Sequence, residues 1–194
     1  MTAPDILIAL EPVADTFERL NVRYHVGGSV ASSAQGVARA TLDIDLVADL
    51  GESDVSGFTR DLEKKYYLDE QAIRDAVRRR SSFNLIHLET MVKIDVFVLK
   101  TRPYDREAFG RMIADTLHEG DDARKFYIAT PEDIIINKLE WFEMGNRVSP
   151  RQWRDVIGVM KVQGDTLDRA YMERWALEIG VLDLLNEALA EAED

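Results

Sequence analysis

The segment Thr41–Ala48, TLDIDLVA, constrains this chain more than any other, because it sets two acids two residues apart in a run that otherwise reads as a β-strand. Side chains two apart on a strand leave the same face, so Asp43 and Asp45 stand side by side while Leu42, Ile44 and Leu46 fill the other face. Carboxylates so placed repel and raise each other's pKa. The pair is either a solvated feature of an exposed sheet edge or one half of a cation site.

A third acid lies on a later strand. VKIDVFVL, residues 92–99, is apolar on both faces except for Lys93 and Asp95, which is the pattern of an interior strand. A carboxylate there needs compensation. It comes either from Lys93, two positions away on the same face, or from a metal ion.

Ahead of the first pair, His25-Val26-Gly27-Gly28-Ser29 runs from a strand through a glycine turn into a short helix. Glycines let a backbone approach a phosphate closely, and the N–H groups at a helix start attract anions. Thirteen residues separate Ser29 from Asp43.

Composition narrows what such a cluster can do. The absence of cysteine removes disulfides, thiol nucleophiles and thiolate metal sites, so a metal would sit among oxygens or the three histidines. His25, His87 and His118 are scattered without a ligand spacing and receive no catalytic task. The formal net charge of -12 argues against a broadly basic nucleic-acid face. Two basic islands remain, Arg78–Arg80 and the looser set Arg147, Arg151, Arg154 and Lys161. No run of eighteen apolar residues and no basic flank with an apolar stretch opens the chain, so no membrane association is expected and a soluble, cytoplasmic protein is.

The order of elements suggests an α+β fold. Helical stretches are expected near 5–20, 29–35, 54–65 and 71–79, and strands at 22–26 and 42–47. SFNLIHLE and VKIDVFVL, joined through Thr90-Met91, read as a hairpin. A further helix is expected from about Tyr104, then a polar turn at 119–122. From Thr130 onward the pattern is helical, opened by Thr130-Pro131-Glu132-Asp133 and again by Ser149-Pro150-Arg151-Gln152, each a capping residue followed by proline at the first helical position. The expected organisation is a core over 1–125 and a helical C-terminal part over 126–194 packed on it. On the helix from Pro131, Lys138 falls within an apolar arc of Ile134, Ile135, Trp141 and Phe142. Its ammonium either snorkels to water or reaches into a cleft. Trp141, Phe142, Trp153 and Trp175 read as core-packing residues.

The succession GGS, thirteen residues, DID, then KID resembles the signature of the nucleotidyltransferase superfamily that includes DNA polymerase beta, and the layout is similar to its AbiEii-type toxin branch. The resemblance spans about Tyr24 to Asp155. It implies a nucleotidyltransferase-type mixed β-sheet flanked by helices, with a C-terminal helical extension. It implies that Asp43, Asp45 and Asp95 are catalytic and hold magnesium, with manganese as a substitute, and that Gly27, Gly28 and Ser29 grip the phosphates of an NTP such as ATP. Lys138, then Arg154 and Asp155, are similar to a lysine and a later basic-acidic pair of the AbiEii-type proteins, although the family often has lysine before that aspartate. The implied activity is transfer of an NMP group to a hydroxyl acceptor, RNA or tRNA in the toxin branch, with a cognate antitoxin as partner. Two rivals are a catalytically inactive binding or regulatory module of the same fold, and an interaction protein whose acids are solvent-exposed.

Overall fold

The computed structural model describes residues 3–38, 41, 43–117 and 123–193. Leu42, His118 and the polar turn expected at 119–122 lie outside the described residues.

In chain order the elements are α1 (Ala3–Arg19), β1 (Tyr24–Val26), α2 (Gly28–Gln35), β2 (Asp43–Ala48), α3 (Val55–Leu62), β3 (Tyr66–Tyr67), α4 (Glu70–Arg79), β4 (Ser82–His87), β5 (Lys93–Val98), α5 (Pro103–Arg111), β6 (Ile113–Thr116), β7 (Lys125–Ile128), α6 (Pro131–Met144), α7 (Pro150–Gln163), α8 (Arg169–Ile179) and α9 (Leu182–Glu193). The strands form one mixed sheet in the order β3-β4-β5-β2-β1-β7-β6. It is an α+β fold with a C-terminal run of helices, and no described helix is long and apolar enough to cross a membrane.

β2 and β5 are interior neighbours that run parallel, while β4 and β5 form the expected antiparallel hairpin. Both β2 and β5 alternate strictly between buried and half-buried residues. Ile44, Leu46, Ala48, Ile94, Val96 and Val98 therefore enter the core from one face. Aromatic rings continue that core: Phe17 of α1 stacks on Tyr24 and on Phe58 of α3, and Phe58 meets Phe83 of β4 edge-on. Truncating a ring so enclosed costs about 3–5 kcal/mol. The opposite face of β2 and β5 is left for the acids.

Caps fix the helices that wall this second face. The Thr130 hydroxyl accepts the Asp133 N–H at the start of α6, and Ser149 accepts the Gln152 N–H at the start of α7. Both helices begin with proline at the first turn, where no N–H is needed. α7 also packs on α2, where Gly36 leaves no room for a side chain against Val159.

The sheet is larger than the sequence pattern indicates. β3, β6 and β7 are short strands that carry no strong period, and β7 pairs parallel with β1 through Val26 and Ile128. Because β7 spans Lys125–Ile128, the sheet continues past the expected boundary at 125/126. The expected strand at 22–26 shortens to Tyr24–Val26.

Candidate active site

The parallel register aligns Asp43 with Lys93 and Asp45 with Asp95. Residues paired in register on neighbouring strands share a face, so the three acids stand together on the half-buried side of the sheet. Thr41 donates its hydroxyl to Asp43 Oδ1 at 3.0 Å, and Lys93 Nζ meets Asp95 Oδ2 at 2.8 Å. The lysine expected as one of two compensators for Asp95 is thus in place. Asp45 is the acid under most electrostatic pressure: burial, then Asp43, then Asp95 raise its pKa to about 6, while Lys138 and the Ser29 backbone N–H pull the other way.

The glycine turn is fitted to Asp45. Gly27 N–H donates to the Asp45 carbonyl at 2.8 Å, and the Ser29 N–H, in the first turn of α2, bonds the Asp45 carboxylate. Gly28 adopts φ +55°, and a Cβ there would lie 2.7 Å from the Asp45 Cβ and overlap Oδ2. Only glycine serves at that position.

A cleft of about 530 Å³ opens over this face, with Gly27, Gly28, Ser29, Asp43 and Asp45 on one side and α5, α6 and α7 around it. Lys138 and Asp155 line it and bond each other at 2.8 Å, both buried. The lysine therefore neither snorkels nor stands free. It sits close enough to Asp45 to stabilise its ionised form.

Two expected residues fall elsewhere. Asp95 is not among the residues lining the cleft, although it adjoins Asp45 in register. Arg154 is absent from the lining as well, because its guanidinium turns back to the Pro150 carbonyl at 3.3 Å, and Arg151 supplies the cleft-lining arginine of α7. Arg151 and Asp155, i,i+4 on α7, both line the cleft.

Other cleft residues carried no signal in the sequence. Arg102 binds Asp105 at 2.6 Å and Glu140 at 2.5 Å at the rim. Trp141, read as a core residue, is 49% exposed and lines the cleft, whereas Trp175 is buried as expected. His25 is buried in the cleft wall, and burial lowers its pKa to about 4, so it is neutral at pH 7.

No family model matches the chain, and no curated protein matches it in sequence. Solved structures do. A solution structure of the antibiotic-resistance factor ANT(2'')-Ia superposes with a TM-score of 0.59 at 12% identity, covering 96% of this chain and 99% of that one. The same protein in complex with adenylyl-2''-tobramycin gives 0.57 at 17% identity, covering 90% and 100%. An antigenic nucleotidyltransferase-like protein from Paracoccidioides brasiliensis gives 0.57 at 16% identity, covering 98% and 94%. The chain has the nucleotidyltransferase fold, with the acids of β2 and β5 on the open face of its sheet.

Proposed function

We propose that the protein transfers an NMP group from an NTP to a hydroxyl acceptor with the help of a divalent cation. The observation that carries this reading is the convergence of Asp43, Asp45 and Asp95 on one sheet face beside a glycine turn shaped around Asp45.

The donor set suits a hard cation, since it is made only of carboxylate oxygens, and burial, then the charges of Asp43 and Asp95, raise the pKa of Asp45 to about 6. Among the described residues no three such groups stand close enough to share an ion as they are, each acid being bonded locally instead. Asp43, Asp45 and Asp95 are the residues that would hold it. Magnesium, or manganese in its place, would neutralise charge on the phosphates and on the attacking and leaving oxygens.

The chain's own groups divide the remaining work. The Gly28 and Val30 N–H groups at the start of α2 and the Ser29 hydroxyl cradle phosphate oxygens, with Lys138 and Arg151 adding positive charge from α6 and α7. Asp155 positions Lys138 through their 2.8 Å bond. The acceptor oxygen bonds to the α-phosphorus, the bond from that phosphorus to the bridging oxygen breaks, and pyrophosphate leaves with the electron pair. Asp95 takes the hydroxyl proton.

The AbiEii-type resemblance adds an RNA or tRNA acceptor and a cognate antitoxin to this reading. The adenylyl-2''-tobramycin complex of ANT(2'')-Ia supports a small acceptor instead. A second reading, an inactive module of the same fold, draws on the Lys93–Asp95 pair, which occupies the proposed base. Incubation with each α-labelled NTP, magnesium and total RNA or small hydroxyl compounds decides between them. Label is expected in an acceptor with wild type and not with the Asp43→Asn, Asp45→Asn double variant. Equal transfer by both proteins overturns the mechanism, and nucleotide binding without any transfer favours the inactive module.

A further inference from the structure

The cleft floor continues past the acids. On the face that carries Asp95 and Asp45, the next row across the sheet is Phe97, Val47 and His25, aligned by the register of β5 with β2 and of β2 with β1. Two residues along a strand advance about 7 Å. This row is apolar except for the His25 imidazole, whose Nδ1 is buried and has no hydrogen-bond partner. Among the described residues four buried side-chain atoms lack a partner, and two of them, His25 Nδ1 and Gln152 Oε1, belong to residues lining this cleft. Buried polar atoms are seldom left unpaired, and each marks a place that a water, an ion or a ligand can complete. Above the row stands Trp141, held edge-on against Phe97 with ring centroids 6.1 Å apart yet about half exposed to the cleft.

In-line transfer puts the attacking oxygen and the leaving pyrophosphate on opposite sides of the phosphorus. If the phosphates lie at Gly27–Ser29, the acceptor approaches from the other side of the acid row. Along β1 that direction leads from Gly27 to His25, and along β5 from Asp95 to Phe97.

We propose that the strip Phe97–Val47–His25 beneath Trp141 is the acceptor seat, and that the acceptor is nucleoside-like: a sugar hydroxyl held beside Asp95 and a planar heterocycle laid on the strip, its polar edge meeting His25 Nδ1. This rests on the transfer reading above. The spacing of about 7 Å between the two rows suits a hydroxyl and a base on one sugar. An uncharged ring matches a floor without charge, and neutral imidazole offers one donor and one acceptor to its edge. The acceptor is a free nucleoside or the end of an RNA strand, which share this chemistry.

The test compares acceptors for label from α-labelled ATP with magnesium: ribose, the four common nucleosides, and a short single-stranded RNA. Nucleosides or the RNA are expected to outpace ribose by about tenfold, the scale of one stacked base. Trp141→Ala and His25→Leu each bring that ratio toward one, Trp141→Phe retains most of it, and Trp153→Phe, a tryptophan outside the cleft lining, leaves it intact. Thermal unfolding and calorimetric ATP binding of each variant separate a misfolded protein from an altered seat. Transfer to free nucleosides identifies the small acceptor, and transfer to RNA alone identifies the strand end. Ribose accepting as well as nucleosides, a ratio unmoved by both cleft variants, or ATP binding with no transfer to any of these compounds overturns the proposal. Failure of wild type to bind any of the four NTPs overturns the transfer reading itself, and the acceptor seat with it.

Discussion

Gly28 and Asp45 are packed so that the carboxylate fills the space a side chain at Gly28 would need: a Cβ there would stand 2.7 Å from the Asp45 Cβ. The two residues come from elements joined across the sheet, and their contact sets the distance between the phosphate-binding turn and the acids. Gly28→Ala meets both this clash and the strain of φ +55°, together worth about 1–3 kcal/mol or more. In denaturant unfolding, adding Asp45→Ala should recover part of the loss by removing the overlap with the carboxylate, while the Cβ–Cβ contact and the backbone strain stay. Nucleotide binding is expected to remain absent in both variants.

Acidification separates two opposing titrations in metal-free protein. Asp45, raised to about 6 by burial and then by Asp43 and Asp95, holds its proton in the folded chain where an unfolded aspartate has released it. Its contribution to stability therefore falls as pH rises from about 4 to about 6. His25, lowered to about 4 by burial, does the reverse. Its contribution is lost as pH falls from about 6.5 to about 4, because only the unfolded imidazole takes up the proton there. Melting curves across this window should show Asp45→Asn losing stability on acidification more steeply than wild type. His25→Gln should lose it less steeply. Identical slopes in all three proteins would contradict the burial assigned to both groups.

Lys138 and Asp155 are bonded at 2.8 Å and almost fully enclosed. Lys138→Met leaves a buried carboxylate without its lysine and is expected to cost about 3–5 kcal/mol. The double variant Lys138→Met, Asp155→Leu should return most of that stability without restoring nucleotide affinity. Chemical unfolding and calorimetry on the same preparations test both halves of the expectation.

The start of α6 offers a purely structural contrast. Tyr171 donates its hydroxyl to the buried Asp133 at 2.6 Å, and Thr130 donates to the same carboxylate at 2.8 Å. Tyr171→Phe should lower stability by about 1–3 kcal/mol through the lost donor to a buried acid. Nucleotide affinity should hardly change, because neither Tyr171 nor Asp133 lines the cleft.

What the sequence made legible follows from how local each signal is. Asp43 and Asp45 were placed on one face by strand alternation, and the caps of α6 and α7 were readable from Thr130-Pro131 and Ser149-Pro150. Asp95 beside Asp45 was an expectation that rests on strand pairing, which no single segment encodes. The register of β2 on β5 supplies it. The strands β3, β6 and β7 were illegible because they are too short to show a period. Trp141 was misread because an apolar arc on a helix does not reveal which part of it overhangs a cleft. Arg154 was carried by its place next to Asp155 in the sequence, but adjacent residues on a helix point about 100° apart, and the arginine that lines the cleft with Asp155 is Arg151. His25 carried no local signal at all, being a lone histidine whose importance comes from Val47 across the strand pair.

The convergence of the three acids on one bound nucleotide is tested most directly by calorimetric titration of an α,β-methylene NTP analogue. The titration is run with and without magnesium, on wild type and on Asp43→Asn, Asp45→Asn and Asp95→Asn. Saturable binding that requires magnesium and weakens about tenfold or more in each variant is the expected result. Binding that is indifferent to magnesium and unchanged in all three variants would contradict the account.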